Sequence, residues 1–151
     1  MTTFAFQLID AGFRDGLARL RDALVDMTPL NREIAGILAA TAEDAFEREA
    51  DPTTGEPWAD LAAITKERRR KIGKWPGKKL RVTGLMAESL AAEHGPTFAA
   101  VTSGQSYALW HFLGTARMPA RRVLGIGDAT VLDIVDATGR YIVNHSGGGA
   151  A

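Results

Sequence analysis

From Asp51 to Arg81 the chain reads DPTTGEPWADLAAITKERRRKIGKWPGKKLR, and no single helix or strand can run the length of it. Pro52, Gly55 and Pro57 end the helix before it, while Gly73, Pro76 and Gly77 return the chain to loop. Between them only Thr65 to Ile72 has room for a short helix. The stretch also holds two of the three tryptophans and half of the 18 Lys and Arg residues. Lys66, Arg68, Arg69, Arg70, Lys71, Lys74, Lys78, Lys79 and Arg81 are nine bases in sixteen residues, with Glu67 the only acid among them. A segment of this charge lies on a surface, and its natural counterpart is a polyanion or an acidic protein face.

The 151 residues suit one domain, large enough to bury roughly two thirds of the surface of its unfolded chain. A content of 46% hydrophobic and 24% charged residues is globular. The absence of cysteine excludes a disulfide framework and any thiolate ligand or nucleophile, and suits a reducing compartment. Met1 opens no basic region with a small-residue cleavage pattern, so no secretory signal is expected. No apolar run approaches the ~18 residues of a membrane span, so no membrane partner is expected. The net charge of zero hides a dipole: residues 1–60 carry twelve acids and five bases, residues 61–81 one acid and nine bases. Such patches can face solvent, pair within the subunit, or steer one copy onto another head to tail.

Phe4, Phe6 and Leu8 alternate with polar or small neighbours, predicting a short first strand. Phe13, Leu17, Leu20 and Leu24 fall on one helical face, predicting a helix that ends near Met27. Thr28-Pro29 opens a second helix, expected to reach about Ala50, with the Thr28 hydroxyl as cap and Leu30, Ile34, Ile37, Leu38, Thr41 and Ala45 turned inward. After the basic segment, Ser89 to Thr102 reads as a hairpin turning at His94-Gly95-Pro96-Thr97. Tyr107 to Leu113 reads as a short helix stopped by Gly114. Arg121 to Ile126 reads as a strand, and Asp128 as the cap of a last helix to about Ala137. The fold class expected is therefore α+β: a small, mostly antiparallel sheet against two long helices, with a long irregular basic loop at 51–81. Residues 1–143 form the single domain and 144–151 a disordered tail.

Nothing in the pattern carries catalysis. His94, His111 and His145 stand at no ligand or acid/base spacing, and Ser103 and Ser106 lack a nearby base. The acidic run Glu43, Asp44, Glu47 and Glu49 reads as a solvated helix face rather than a metal site. Gly125-x-Gly127 before a helix begins like a phosphate-binding turn, but Thr130 stands where the third glycine belongs. The basic block itself has a nucleic-acid reading, a small DNA-binding accessory protein using residues 66–81, with Trp75 placed to stack a base.

An ordered set of short signals resembles the phage virion morphogenesis family, also called phage tail completion proteins. Phe46 is followed by Pro52, Gly55 and Trp58 in F-x5-P-x2-G-x2-W. Thr65 precedes the basic run, and Leu80-x2-Thr83-Gly84-Leu85-x3-Ser89 follows it. Tyr107-Ala108-x2-His111-x2-Gly114 comes next, and Met118-Pro119-Ala120-Arg121-x2-Leu124-Gly125 closes the set. The match spans roughly residues 28–137. Phe112 departs from it, standing where the family often has a polar residue.

The resemblance implies a non-enzymatic structural protein of a tailed phage or phage-like particle, with no cofactor and no metal. It implies a homo-oligomeric ring, commonly sixfold, at the neck or head-proximal end of the tail, where it completes the tail or joins it to the head. Neighbouring neck, portal or tail-tube proteins are then the partners, with DNA passing through the lumen, and the protein is assembled in the host cytoplasm into the virion. Physically, Gly84 and Gly114 permit positive φ or close approach, and Pro119 fixes the chain ahead of Arg121. Trp58 belongs to the family pattern. Tyr107, Trp110 and His111, with apolar bodies and polar tips, suit either a core edge or a subunit seam. The basic segment then points either inward to DNA or toward protein.

Overall fold

The computed structural model describes residues 11–147. The expected strand at Phe4, Phe6 and Leu8 and the tail positions 148–151 lie outside the described residues. Within them the order is α1 (Ala11–Val25), α2 (Thr28–Arg48), α3 (Ala63–Lys71), α4 (Leu85–Glu88), β1 (Leu90–His94), β2 (Ala99–Ser103), α5 (Ala108–Leu113) and α6 (Asp128–Ser146). β1 and β2 pair antiparallel, from Leu90 opposite Ser103 to His94 opposite Ala99. The fold is α+β, as the pattern predicts, with this hairpin the only sheet among the described residues.

Helix α2 is the shared wall of the domain, and the reason is in its wheel. Leu30, Ile34, Ile37 and Thr41 recur at three and four residues and make one stripe. That stripe packs with Ala137 and Tyr141 of α6, and the Thr41 and Thr130 hydroxyls meet at 3.1 Å. A second, adjoining stripe of Asn31, Ala35, Ala42, Ala45 and Phe46 is also buried. Ala42, Ala45 and Phe46 pack with Trp58, Met86, Ala108 and Val123 in the larger core. Small alanines let the hairpin lie close to α2, and the Asn31 amide donates to Gly95 O at 2.7 Å, pinning the hairpin turn. Tyr141 Oη donates to Ala23 O at 2.8 Å, tying α6 to α1.

Several boundaries differ from expectation for physical reasons. Thr28 is not a side-chain cap: Met27 holds the N-cap position without a capping bond, and Asp26 Oδ1 accepts the Thr28 N–H at 2.9 Å instead. Asp128 is likewise the first residue of α6, after an N-cap at Gly127, not the cap itself. That helix runs to Ser146, past Ala137 and through residues 144–146 of the tail expected to be disordered, because Tyr141 in its later turns is buried against Leu30. Residues 121–126 form no strand. Arg121 and Val123 point inward and Arg122 outward, which copies strand alternation. Their backbone bonds go elsewhere: Arg121 N–H donates to His111 O at 2.7 Å, and Arg122 O accepts from the Trp58 indole at 2.9 Å.

Candidate functional site

The basic segment is a strap laid across the C-terminal end of α2, and much of its charge is spent there. Lys78 Nζ donates to Glu47 O at 3.0 Å and to the Glu47 carboxylate, which Arg81 also reaches. A cation on a terminal helical carbonyl also opposes the negative end of the helix dipole. These two bases hold the Glu47 carboxyl below its usual range. Glu49, at the C-cap, adopts the left-handed region with φ 55°. That conformation is costly for a residue with a side chain. Its carboxylate accepts the Lys79 N–H and its carbonyl accepts the Trp58 N–H at 2.7 Å, so the surroundings hold it. Lys79 Nζ donates to Trp58 O at 2.7 Å.

Lys66 pairs with Asp60 and lies 5.2 Å from the Trp75 ring centroid, so the face expected to stack a base carries a lysine. Arg70 pairs with Glu67. Arg69 is buried, its guanidinium donating to Lys78 O at 2.8 Å and to Lys79 O. Of the nine bases, Arg68, Lys71 and Lys74 remain exposed with no ion pair among the described residues. The geometry therefore answers much of the charge dipole within the subunit, using Glu47 and Asp60 as ion-pair acceptors. Sequence spacing does not reveal these partners, because Glu47 and Lys78 are 31 residues apart.

Beneath the strap two buried arginines organise three loops. Arg121 donates through Nε to Ala59 O and through Nη2 to Asp60 O, each at 3.0 Å. Trp58, held between these loops, meets Phe46 edge to face with centroids 6.1 Å apart. Desolvation lowers the pKa of both Arg121 and Arg69; Asp60 and Glu49 oppose the shift at Arg121, Glu49 at Arg69. Arg69, Lys79, Leu80, Thr83, Tyr107 and His111 line an open cavity of about 390 Å³, which brings residues from three separated sequence signals to one place. His111 Nδ1 is buried there without a hydrogen-bond partner.

Burial, and then the Arg121 and Arg69 charges, hold the His111 imidazole below its usual pKa. The unfolded chain takes up this proton near pH 6.5, and the folded chain only at lower pH. The stabilisation from a neutral His111 is thus fully present above about pH 6.5 and is lost as pH falls through the folded pKa. Urea midpoints of His111→Gln are expected to vary less than wild type between about pH 7.5 and about pH 5. Equal pH dependence would show that His111 does not carry the effect.

The remaining predicted positions separate into two groups. Gly84 and Gly114 have φ of 83° and 73°; a Cβ on Gly114 would come 2.7 Å from Ala120 N, so this glycine allows the α5 end to close on the 118–120 turn. Pro119 is exposed, one residue after the Thr115–Met118 bridge. Tyr107 and Trp110 are 39% and 58% exposed, and Leu109 and Leu113 beside them more than half exposed. His111 faces inward to the cavity while Trp110 faces out, so α5 serves both a core edge and an outer surface. The apolar outer face of α6, with Leu132 and Val135 exposed, is absent from the sequence expectation because spacing alone does not say which apolar side chains of a helix meet a partner element. Among the described residues no group of three or more His, Asp or Glu is placed to hold a metal, and no helix is long and apolar enough to cross a membrane.

The sequence pattern of the phage virion morphogenesis family matches residues 9–143. The chain is 37% identical over 113 residues to Mu-like prophage FluMu G protein 1 of Haemophilus influenzae, covering 74% of this chain and 76% of that one. It is 32% identical over 114 residues to the putative capsid assembly protein G of Escherichia phage Mu, covering 70% and 73%. No solved structure matches.

Proposed function

Because the chain belongs to the phage virion morphogenesis family, a family of phage structural and assembly proteins, we propose that it works as a ring at the neck or head-proximal end of a phage tail. There it completes the tail or joins it to the head, and DNA passes through the ring. The observation that carries this reading is the distribution of large apolar side chains. The subunit closes two cores around α2, yet Trp110, Leu113, Leu132 and Val135 remain 58–70% exposed. Apolar surface of this kind marks a protein interaction site, and heterologous contacts repeated around an axis close a ring. No catalytic step belongs to this reading: burial and the Arg121 and Arg69 charges hold the His111 imidazole below its usual pKa. A DNA-binding role for residues 66–81 is weakened by the internal partners of Arg69, Lys78, Lys79 and Arg81.

Imaging of assembled particles tests the proposal: a ring of this subunit, sixfold by expectation, lies between head and tail. Trp110→Ala separates seam from core. Its monomer stability is expected to change by no more than about 0.5 kcal/mol, as for other surface substitutions, while ring assembly is lost. Particles whose neck and tail lack the subunit would overturn the proposal.

A further inference from the structure

Helix α6 has two faces of opposite destination. Thr130, Ala137 and Tyr141 are buried toward α2 and α1. On the opposite side Val131, Leu132, Val135 and Val143 are 46%, 65%, 58% and 47% exposed, a stripe about 18 Å long from 131 to 143 at the helical rise. Within it Asp128, Leu132 and Asp136 repeat every four residues, giving a row that reads acid, apolar, acid. Neither aspartate has an ion pair among the described residues.

Helix α3 carries the complementary row. Arg69 anchors it inward on Lys78 O and Lys79 O, so Ile64 and Arg68 of the helix and Ile72 at its C-cap, also spaced by four, are exposed. This row reads apolar, base, apolar, and Ile64 and Ile72 are 61% and 64% exposed. Arg68 and its neighbours Lys71 and Lys74 are the three bases left unpaired. We infer that the outer stripe of α6 is the docking face for α3 of a neighbouring copy, an inference that rests on the ring reading above.

The charges also set the direction. With α3 antiparallel to α6, Arg68 meets Asp136, Ile72 meets Leu132, and Lys71 and Lys74 approach Asp128 at the α6 N-terminus. With Arg68 kept on Asp136, the parallel arrangement would put Ile72 on Arg140 and bring those lysines toward the same arginine, a like-charge contact. Rows of four-residue spacing on two helices are the ridges that pack into each other's grooves. Each subunit uses a different face toward each neighbour, the requirement for a closed ring. One helix pair covers less than the roughly 800 Å² per partner of a stable interface, so an isolated pair is weak and ring closure consolidates it.

The chain contains no cysteine, so an engineered disulfide reports this contact alone. Particles assembled with the Ile72→Cys/Leu132→Cys double variant and oxidised are expected to give a ladder of linked subunits up to the ring size on a denaturing gel. Each single-cysteine variant gives no ladder. In parallel, Arg68→Asp or Asp136→Arg is expected to raise the concentration needed for assembly about tenfold or more, and the combined swap to restore it to within about threefold. Rings that form with no ladder and without rescue by the swap would overturn this contact while leaving the ring reading intact. A subunit that is monomeric in intact particles would overturn both.

Discussion

Trp58→Ala is expected to be the most damaging single substitution in this chain, costing about 4 kcal/mol of folding stability. Domains of this size are stable by only about 5–15 kcal/mol, so a large part of the population would unfold on modest heating. The side chain is 5% exposed and fills the space between Phe46, Met86, Ala108 and Val123. None of those residues can move in to replace it, because each is fixed on a different element. The indole also supplies the donor to Arg122 O at 2.9 Å. Trp58→Phe keeps most of the packing and removes that donor, with an expected cost of about 1–2 kcal/mol. Denaturant unfolding would therefore rank wild type above Phe and Phe above Ala. Equal midpoints for the Phe and Ala variants would mean that the hydrogen bond and not the ring holds the loop.

Arg121→Leu is expected to cost about 3 kcal/mol, and through a different mechanism. Its guanidinium joins the 120s segment to the Ala59 and Asp60 carbonyls, each at 3.0 Å, and the residue is 4% exposed. A leucine fills part of the volume but leaves both carbonyls without their charged donor. Arg121→Lys retains the charge but not the planar fork that serves two acceptors at once. An intermediate loss of about 1–2 kcal/mol is expected for it. Amide exchange should speed locally at residues 57–62 in both variants, before global unfolding, since Arg121 tethers that loop. A leucine variant as stable as wild type would show that the node is replaceable by apolar packing, as happens for some buried ionic groups.

These expectations also show which parts of the molecule were legible in the chain. Helix α2 announced itself through Pro29 and a long period of apolar residues, and its observed span, Thr28–Arg48, ends close to the expected Ala50. The hairpin was legible from its turn, and α5 from its spacing and Gly114. The second buried stripe of α2 was not, because Asn31, Ala35 and Ala42 carry little hydrophobic signal until another element lies against them. Arg121 to Ile126 has the alternation of a strand without being one, since alternation reports which side chains go inward and not what the backbone bonds to. Phe13, Leu17 and Leu24 share a helical face as expected, yet remain at least half exposed.

The local pattern determined by itself the α+β class, the main helices, the interruption at 51–81 and the family to which the chain belongs. Those properties rest on short-range rules: helical spacing, proline and glycine breaks, and the order of small motifs. The destination of the nine bases was decided only by the tertiary structure. Lys78 and Arg81 find Glu47, the Lys79 ammonium finds the Trp58 carbonyl, and Arg69 turns inward, across separations of 9 to 34 residues. The sign and number of charges are properties of composition. Whether a charge is neutralised at home or left for a neighbour depends on which distant acceptor the fold brings within about 3 Å, and here that leaves Arg68, Lys71 and Lys74 facing outward.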